Sequence, residues 1–368
     1  MAELLKNIYH TKFFDRFTAS VQEVVLDFDK TVFLKDIYDS EWENRELKQR
    51  MRHITLVLKN HLFDDFNTNV DTLLKLIPVL EKKGVKPDNL EYIFFPDFIE
   101  LFGLDHYETS INAFETITQF VSCEFAVRPF IIKYQESMME QMHLWSKHKH
   151  LSVRRLASEG CRPRLPWAMA LPALKENPEP IIPILKNLKN DPSEYVRRSV
   201  ANNLNDISKD HPETVIALVK AWHGKTSETD WLVKHACRTL LKQGNTEVMV
   251  LFGFGAIDKI KVTDFKILTP KVKIGASVEF SLKLTNTSDK VSKIRLEYGL
   301  YYQKANGSLS RKVFKISEKE YPKKSTTSIH RKQSFKIITT RKFHIGKHQI
   351  SIIINGKEVE ILDFELIK

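Results

Sequence analysis

Two segments, VRRLASEG (Val153 to Gly160) and VRRSVANNLND (Val196 to Asp206), are copies of one helical pattern. Val153, Leu156, Ala157 and Gly160 fall at i, i+3, i+4 and i+7, as do Val196, Ser199, Val200 and Asn203, so each copy presents one stripe to a core. A single short helix of this kind cannot bury its stripe alone; stacking neighbours supplies the core. Val127-Arg128 and Val233-Lys234 look like weaker copies, and intervals of about 26, 43 and 37 residues between the four valines scatter around the roughly 40–47 of HEAT or armadillo helix pairs. The spacing predicts a degenerate α-solenoid. On the other face, Arg155 and Glu159 stack one turn apart, as do Arg198, Asn202 and Asp206. Such a surface alternates guanidinium and carboxylate, which suits a polyanion that carries a cationic target.

The helical texture runs from Ala2 to about Phe252, through ENRELKQRMRHITLVLKNHL, Thr72 to Leu80 and Ala113 to Phe120, with breaks at Pro87, Pro178, Pro192 and Pro212. It changes at Gly253-Phe254-Gly255. From Ile260 seven alternating, β-branched runs follow, between turn signals such as Asn306-Gly307 and Asn355-Gly356. That pattern predicts an antiparallel sandwich of immunoglobulin-like size. The chain is thus expected to be mainly α: a HEAT-like α-solenoid over residues 1–253, then an immunoglobulin-like β-sandwich over 258–368.

Charge divides the same way. The net charge of +11 arises from +13 in residues 258–368 and −2 in the rest, so the basicity belongs to the sandwich and points to nucleic acid there. Arg311-Lys312, Lys323-Lys324, Arg331-Lys332 and Arg341-Lys342 supply much of it. An ordinary solvated face explains some of these; the rest are expected to contact nucleic-acid phosphates, without sequence preference. Three cysteines without CxxC spacing argue against a disulfide framework or a zinc site. No signal-peptide core or apolar run of roughly 20 residues occurs, so a soluble cytoplasmic protein is expected. Nothing suggests an obligate protein partner or dimer.

The segments FVSCEFAVRPF (Phe120 to Phe130), VRRLASEGCRPRLPWAMALP (Val153 to Pro172) and DPSEYVRRSVANNLNDISKDHP (Asp191 to Pro212) resemble the AlkC-type DNA alkylation repair glycosylases, HEAT-like-repeat enzymes grouped with AlkD. The CRPRLPWAMALP block carries the most specificity; VRR alone fits any HEAT protein. The resemblance spans roughly the first 250 residues, and some members carry a C-terminal immunoglobulin-like extension. It implies hydrolysis of the N-glycosidic bond of cationic N-alkylated bases in duplex DNA. 3-Methyladenine comes foremost, with methylcytosine or 7-methylguanine as further candidates. It also implies monofunctional chemistry without metal or other cofactor, and without the base flipping usual among glycosylases.

The resemblance places Glu124, Glu159, Trp167 and Asp206 in the active site, with Arg155 beside them. An alkylated purine is already positively charged and leaves readily, so a carboxylate's task is to stabilise the oxocarbenium-like sugar and to orient water. Each residue also has a structural reading. Glu159 can be a plain i,i+4 partner of Arg155, Asp206 a solvated helix end, Glu124 a helix-dipole partner and Trp167 inter-repeat packing. Alternatively, Trp167 offers a cationic lesion its ring face. Arg155, Arg198, Arg162, Arg164, Lys234 and His235 are candidate phosphate contacts. Arg154 and Arg197 read as structural partners of Asp191. Cys161, His211 and His235 form no triad with a serine. The rival to an enzyme is a non-catalytic HEAT scaffold binding nucleic acid or protein, yet a passive DNA binder gains nothing from three carboxylates beside phosphates. An RNA-binding reading lacks any RRM or KH aromatic motif.

Overall fold

The computed structural model describes residues 4–338 and 341–368. By packing, the chain forms two compact units: residues up to His211 with Trp222–Ala236, and Pro212–Ala221 with Cys237–Lys368. The change of texture at Gly253 therefore falls inside the second unit. Among the described residues, no helix is long and apolar enough to cross a membrane.

The first unit is helical throughout. Its N-terminal end is an aromatic core. Phe13, Phe14 and Phe17 of the Thr11–Val24 helix are buried with Phe33, Tyr92, Phe94 and Phe95, largely in edge-to-face contact. Local signals set the helix starts. Asp29 and Asp65 cap the Lys30–Ile37 and Phe66–Lys82 helices, and Glu46 with Gln49 forms a capping box at Leu47–Asn60. Farther along, all four anchoring valines, Val127, Val153, Val196 and Val233, are fully buried. The helix Leu151–Glu159 packs on Glu194–Ile207, which packs in turn on Ser227–Ala236. Two stripe positions that looked weakly apolar have specific reasons. A Cβ on Gly160 would lie 2.7 Å from Val127 Cγ2, so the preceding repeat's valine occupies that space. Asn203 is buried and donates to the Ser158 carbonyl at 2.8 Å, tying two repeats. Arg154 holds Asp191 through Nε at 2.5 Å, and Arg197 Nη1 donates to the Asp191 carbonyl at 2.6 Å, so both serve the inter-repeat scaffold.

The second unit contains a sandwich of eight strands: β1 (Ile260–Ile267), β2 (Lys271–Lys273), β3 (Ser277–Asn286), β4 (Ser292–Gln303), β5 (Leu309–Tyr321), β6 (Ser325–Ser334), β7 (Gly346–Ile354) and β8 (Lys357–Ile367). One sheet runs β1-β3-β6 and the other β2-β8-β7-β4-β5. Phe280, Leu282 and Leu284 of β3 share the core with Leu296 and Leu300 of β4 and with Ile350 and Ile352 of β7. The eighth strand, β2, pairs in parallel with β8 and is too short to carry a period-two signal. The run expected as SIHRKQSFKIIT ends its pairing at Ser334, and its last residue, Thr339, lies outside the described residues. Near the start of β4, Arg295 bridges the buried Glu297 at 2.6 Å and Glu318 at 2.9 Å.

The helices Arg238–Gln243 and Thr246–Leu251 belong with this sandwich for a backbone reason. Gly244 caps the first of them at φ +75° and meets Gly356, at φ +80° in the β7–β8 turn, so closely that a Cβ on Gly356 would lie 2.3 Å from Gly244 Cα. Asn355, at φ +45°, completes a turn of the kind Asn-Gly favours, and its side chain donates to the Gly255 carbonyl at 3.0 Å. Gly356→Ala combines a left-handed backbone with a backbone clash and is expected to lower stability by about 2 kcal/mol or more. Gly84→Ala, at φ +86° with open space around it, is expected to cost about 1 kcal/mol. Urea denaturation of both variants checks the contrast.

Candidate active site

Glu124 lies in the turn that leads into the Val127–Lys133 helix, Glu159 ends the Leu151–Glu159 helix, and Asp206 lies in the last turn of Glu194–Ile207. Cations alternate with these carboxylates. Arg155 Nη1 donates to Glu124 Oε2 at 2.6 Å, and its other arm lies 3.8 Å from Glu159 Oε1. Arg162 Nη1 donates to Glu159 Oε1 at 2.5 Å, while its Nε and Nη2 reach Asp206 Oδ2 at 2.9 and 2.8 Å. Lys209 Nζ takes the other Asp206 oxygen at 3.0 Å. One continuous chain of contacts, Glu124–Arg155–Glu159–Arg162–Asp206–Lys209, joins three repeats.

Burial makes this chain consequential. Glu159, Arg162 and Asp206 are all buried, and charges removed from water are tolerated only when well paired. Burial opposes the charge on Arg162, but Glu159 and Asp206 outweigh it and hold the guanidinium above its ordinary pKa. Arg155 is held up in the same way by Glu124 and Glu159 against its own desolvation, and stacks over the Tyr195 ring at 4.4 Å. Glu159 is tied through Oε1, whereas Oε2 is buried and has no partner among the described residues. Its i,i+4 contact with Arg155 exists, but the shorter bond is to Arg162 at i+3.

Glu124, Glu159 and Arg162 line a cleft of about 400 Å³. Leu90, Ile93 and Leu165 make its apolar wall, and Lys48 and Ser122 complete its polar lining. Trp167 and Phe125 supply its aromatic surfaces. Trp167 is 72% exposed and adopts φ +66°, a conformation that costs a bulky L-residue roughly 1–3 kcal/mol. It follows the turn Pro163-Arg164-Leu165-Pro166, in a loop closed by Leu171 N–H donating to the Pro163 carbonyl at 3.2 Å. The result is an indole face held out at the cleft rather than packed between repeats. Asp206 is not among the lining residues; it stands behind Arg162, with both oxygens bonded.

The expected phosphate contacts divide. Arg155 and Arg162 turn inward onto carboxylates. Arg164 is committed to Asp210, with Nη2 2.6 Å from Oδ1. Arg198 is exposed and, among the described residues, bonds its own helix neighbour Glu194 at 2.6 Å. Lys234 is exposed on the adjacent helix, and His235 there stacks on Trp231 and faces Asn202 Oδ1 at 3.2 Å. Arg155 and Arg198 share a place in the repeat pattern but not an environment, because Glu124 exists only opposite the first. Cys161 is fully buried and its thiol is pushed up to about 12, so it is no nucleophile.

Several cleft residues carried no signal in the sequence. Lys48 sits among many charges in ENRELKQRMR, Ser122 orients Glu124 through a 2.9 Å bond, and Phe125 is one of several aromatics in its segment. Arg128 is fully buried, and burial lowers its pKa to about 10. Its Nη1 donates to the carbonyls of Gly160 and Arg162, both at 2.9 Å, and its Nε to that of Met169 at 2.7 Å.

Residues 98–240 match the family model described as DNA alkylation repair enzyme, and residues 261–368 match the C-terminal Ig-like domain of the uncharacterised protein YhaZ. The uncharacterised protein YhaZ of Bacillus subtilis (strain 168) is 43% identical over 362 residues, covering 98% of this chain and 99% of that protein. Among solved structures, Pseudomonas fluorescens alkylpurine DNA glycosylase AlkC, bound to DNA containing an abasic site analog, superposes with a TM-score of 0.92 at 33% identity, covering 100% of both chains. Full-length likeness at this identity, with an alkylation-repair core and an Ig-like C-terminal domain, assigns the chain to the AlkC family of DNA alkylation repair glycosylases.

Proposed function

We propose that the protein removes cationic N-alkylated bases, 3-methyladenine foremost, from duplex DNA, with Glu159 as the carboxylate that meets the reacting sugar. One observation carries this reading: Glu159 lines the cleft and is fixed through Oε1 by Arg162, while its second oxygen, Oε2, is buried without a hydrogen-bond partner among the described residues. A carboxylate so placed stabilises positive charge that develops on C1′ as the C1′–N9 bond breaks. The bond's electron pair moves to the purine and neutralises its charge, so no acid is required. Water then bonds C1′ and gives its proton to the carboxylate, leaving a hydroxyl on an abasic sugar. Glu124, at the same cleft, shares the orientation of that water. Asp206 has both oxygens engaged, and its part is to hold Arg162 in place.

Trp167 offers its exposed face to the lesion, where a cationic ring gains attraction that a neutral base lacks. The released base leaves without being flipped into a deep pocket; the exposed indole and open cleft suit a nucleotide approached from the duplex. Lys48 is the one lysine among the lining residues, and its ammonium is bonded to the Trp167 carbonyl. That commitment favours hydrolysis alone over strand cleavage through an amine adduct. Arg198, Lys234 and His235 are the candidates for phosphate contact. The sandwich, with its +13, adds contacts that do not read sequence.

Base release from methylated duplex DNA under single turnover tests the assignment. Glu159→Gln is expected to lose about 10²–10³-fold. Trp167→Ala and Asp206→Asn should lose less, and equal rates in all four proteins would reject the site. Gln at Lys323, Lys324, Arg331 and Lys332 is expected to weaken binding and to flatten the dependence of log affinity on log salt by up to about 0.9 per lost phosphate contact; an unchanged slope would remove the sandwich from the interface. Arg162→Met strands two buried carboxylates and is expected to cost about 3–5 kcal/mol in denaturant titrations. Arg198→Met, at an exposed pair, should change stability by less than about 1 kcal/mol.

A further inference from the structure

The loop that leaves the Leu151–Glu159 helix delivers two cleft residues, Arg162 and Trp167, and two cations from distant parts of the first unit grip it by its backbone. Arg128, on the Val127–Lys133 helix, binds the carbonyls of Gly160 and Arg162 at the loop's entry and that of Met169 past Trp167. Its planar guanidinium fixes both ends at once, which a point-charge ammonium cannot do. Lys48, in the first turn of the Leu47–Asn60 helix, donates to the carbonyl of Trp167 itself and lies 4.7 Å from the centroid of the Phe125 ring. Trp167 is the residue of this loop with a left-handed backbone and an exposed side chain. A residue in that conformation relaxes unless its surroundings over-determine it.

We infer that Lys48 and Arg128 are positioning residues for Trp167: Arg128 fixes the ends of the loop, and Lys48 locks the carbonyl at its strained apex. The indole face is thereby kept at the cleft before DNA arrives. Neither residue needs to touch the lesion. This inference rests on the glycosylase reading for its catalytic consequence, but the geometric part stands on Trp167 alone. Misplacing a group that contacts the reacting nucleotide by about 1 Å costs on the order of 100-fold, so the effect belongs in the rate from the bound complex rather than in duplex affinity.

Lys48→Met is the first test, because Lys48 is exposed and its loss leaves the core intact; Arg128→Lys keeps the buried charge but not the fork. Single-turnover base release and duplex affinity are measured for Lys48→Met and Arg128→Lys. Release is also measured for Lys48→Met combined with Trp167→Ala. Acrylamide quenching of Trp167 is read as the difference between each protein and its Trp167→Phe counterpart. Release at saturating enzyme is expected to fall by about 10- to 100-fold in each single variant, with affinity nearly unchanged. Lys48→Met should cost less than about twofold once Trp167 is already Ala, and Trp167 quenching should change in both single variants. Equal cost of Lys48→Met with and without Trp167 overturns the inference, as does weakened affinity with an unchanged rate, which would make Lys48 a phosphate contact. Unchanged quenching overturns it whatever the activity. If the wild-type protein releases no base, the glycosylase proposal fails, and the quenching result alone decides the positioning claim.

Discussion

A single buried guanidinium, that of Arg162, organises the cleft. It lies 2.5 Å from Glu159 and 2.8 Å from Asp206, and all three side chains are buried. Two carboxylates buried this close would repel each other without it, and a lone arginine there would be too costly to bury. Because Arg162 occupies only Oε1 of Glu159, the pairing fixes the carboxylate while leaving Oε2 uncommitted. The same arrangement takes Asp206 out of the cleft and turns it into support. What looks on the sequence like three equivalent acids is an ordered set, with Glu159 and Glu124 at the wall and Asp206 behind.

The repeats serve this ordering rather than the reverse. Val127, Val153, Val196 and Val233 fix how successive helices stack, and Arg154 with Asp191 and Asn203 with Ser158 bind adjacent repeats through polar contacts. The stacking brings Glu124, Glu159 and Asp206 from three repeats within reach of two arginines. Gly160 then releases the chain into a proline-framed loop, in which Arg162 doubles back to Glu159 while Trp167 faces outward. Strain at Trp167 is sustained because the loop's carbonyls are held from both ends.

Much of this is legible in the sequence. Period-3.6 stripes and their valine anchors predicted the stacked helices, and alternation with Asn-Gly turns predicted most strands of the sandwich. β2 escaped because three residues carry no period. Family resemblance, not spacing, singled out the CRPRLPW block and the carboxylates Glu124, Glu159 and Asp206, of which Glu124 and Glu159 line the cleft. The sequence did not reveal direction: Arg155 and Arg198 occupy one register, yet one faces Glu124 and the other faces solvent, a difference decided by a residue about 30 positions away. Arg128 and Lys48 were illegible for a related reason, since their partners are backbone carbonyls, which leave no mark on composition. Nor did the change in texture at Gly253 mark a packing boundary, because the Gly244–Gly356 contact couples helices to strands.

The proposed function makes charge on the departing base the driving feature: a carboxylate for the sugar and an exposed indole for the ring, with no acid needed to protonate the leaving group. The most direct measurement places 3-methyladenine and hypoxanthine, a neutral purine, at the same position of one duplex and compares their release under single turnover. Release of the cationic base far faster than that of the neutral one is the expected result. Comparable rates for the two would contradict it, because a cleft that expels neutral purines must supply a proton that none of these residues is arranged to give.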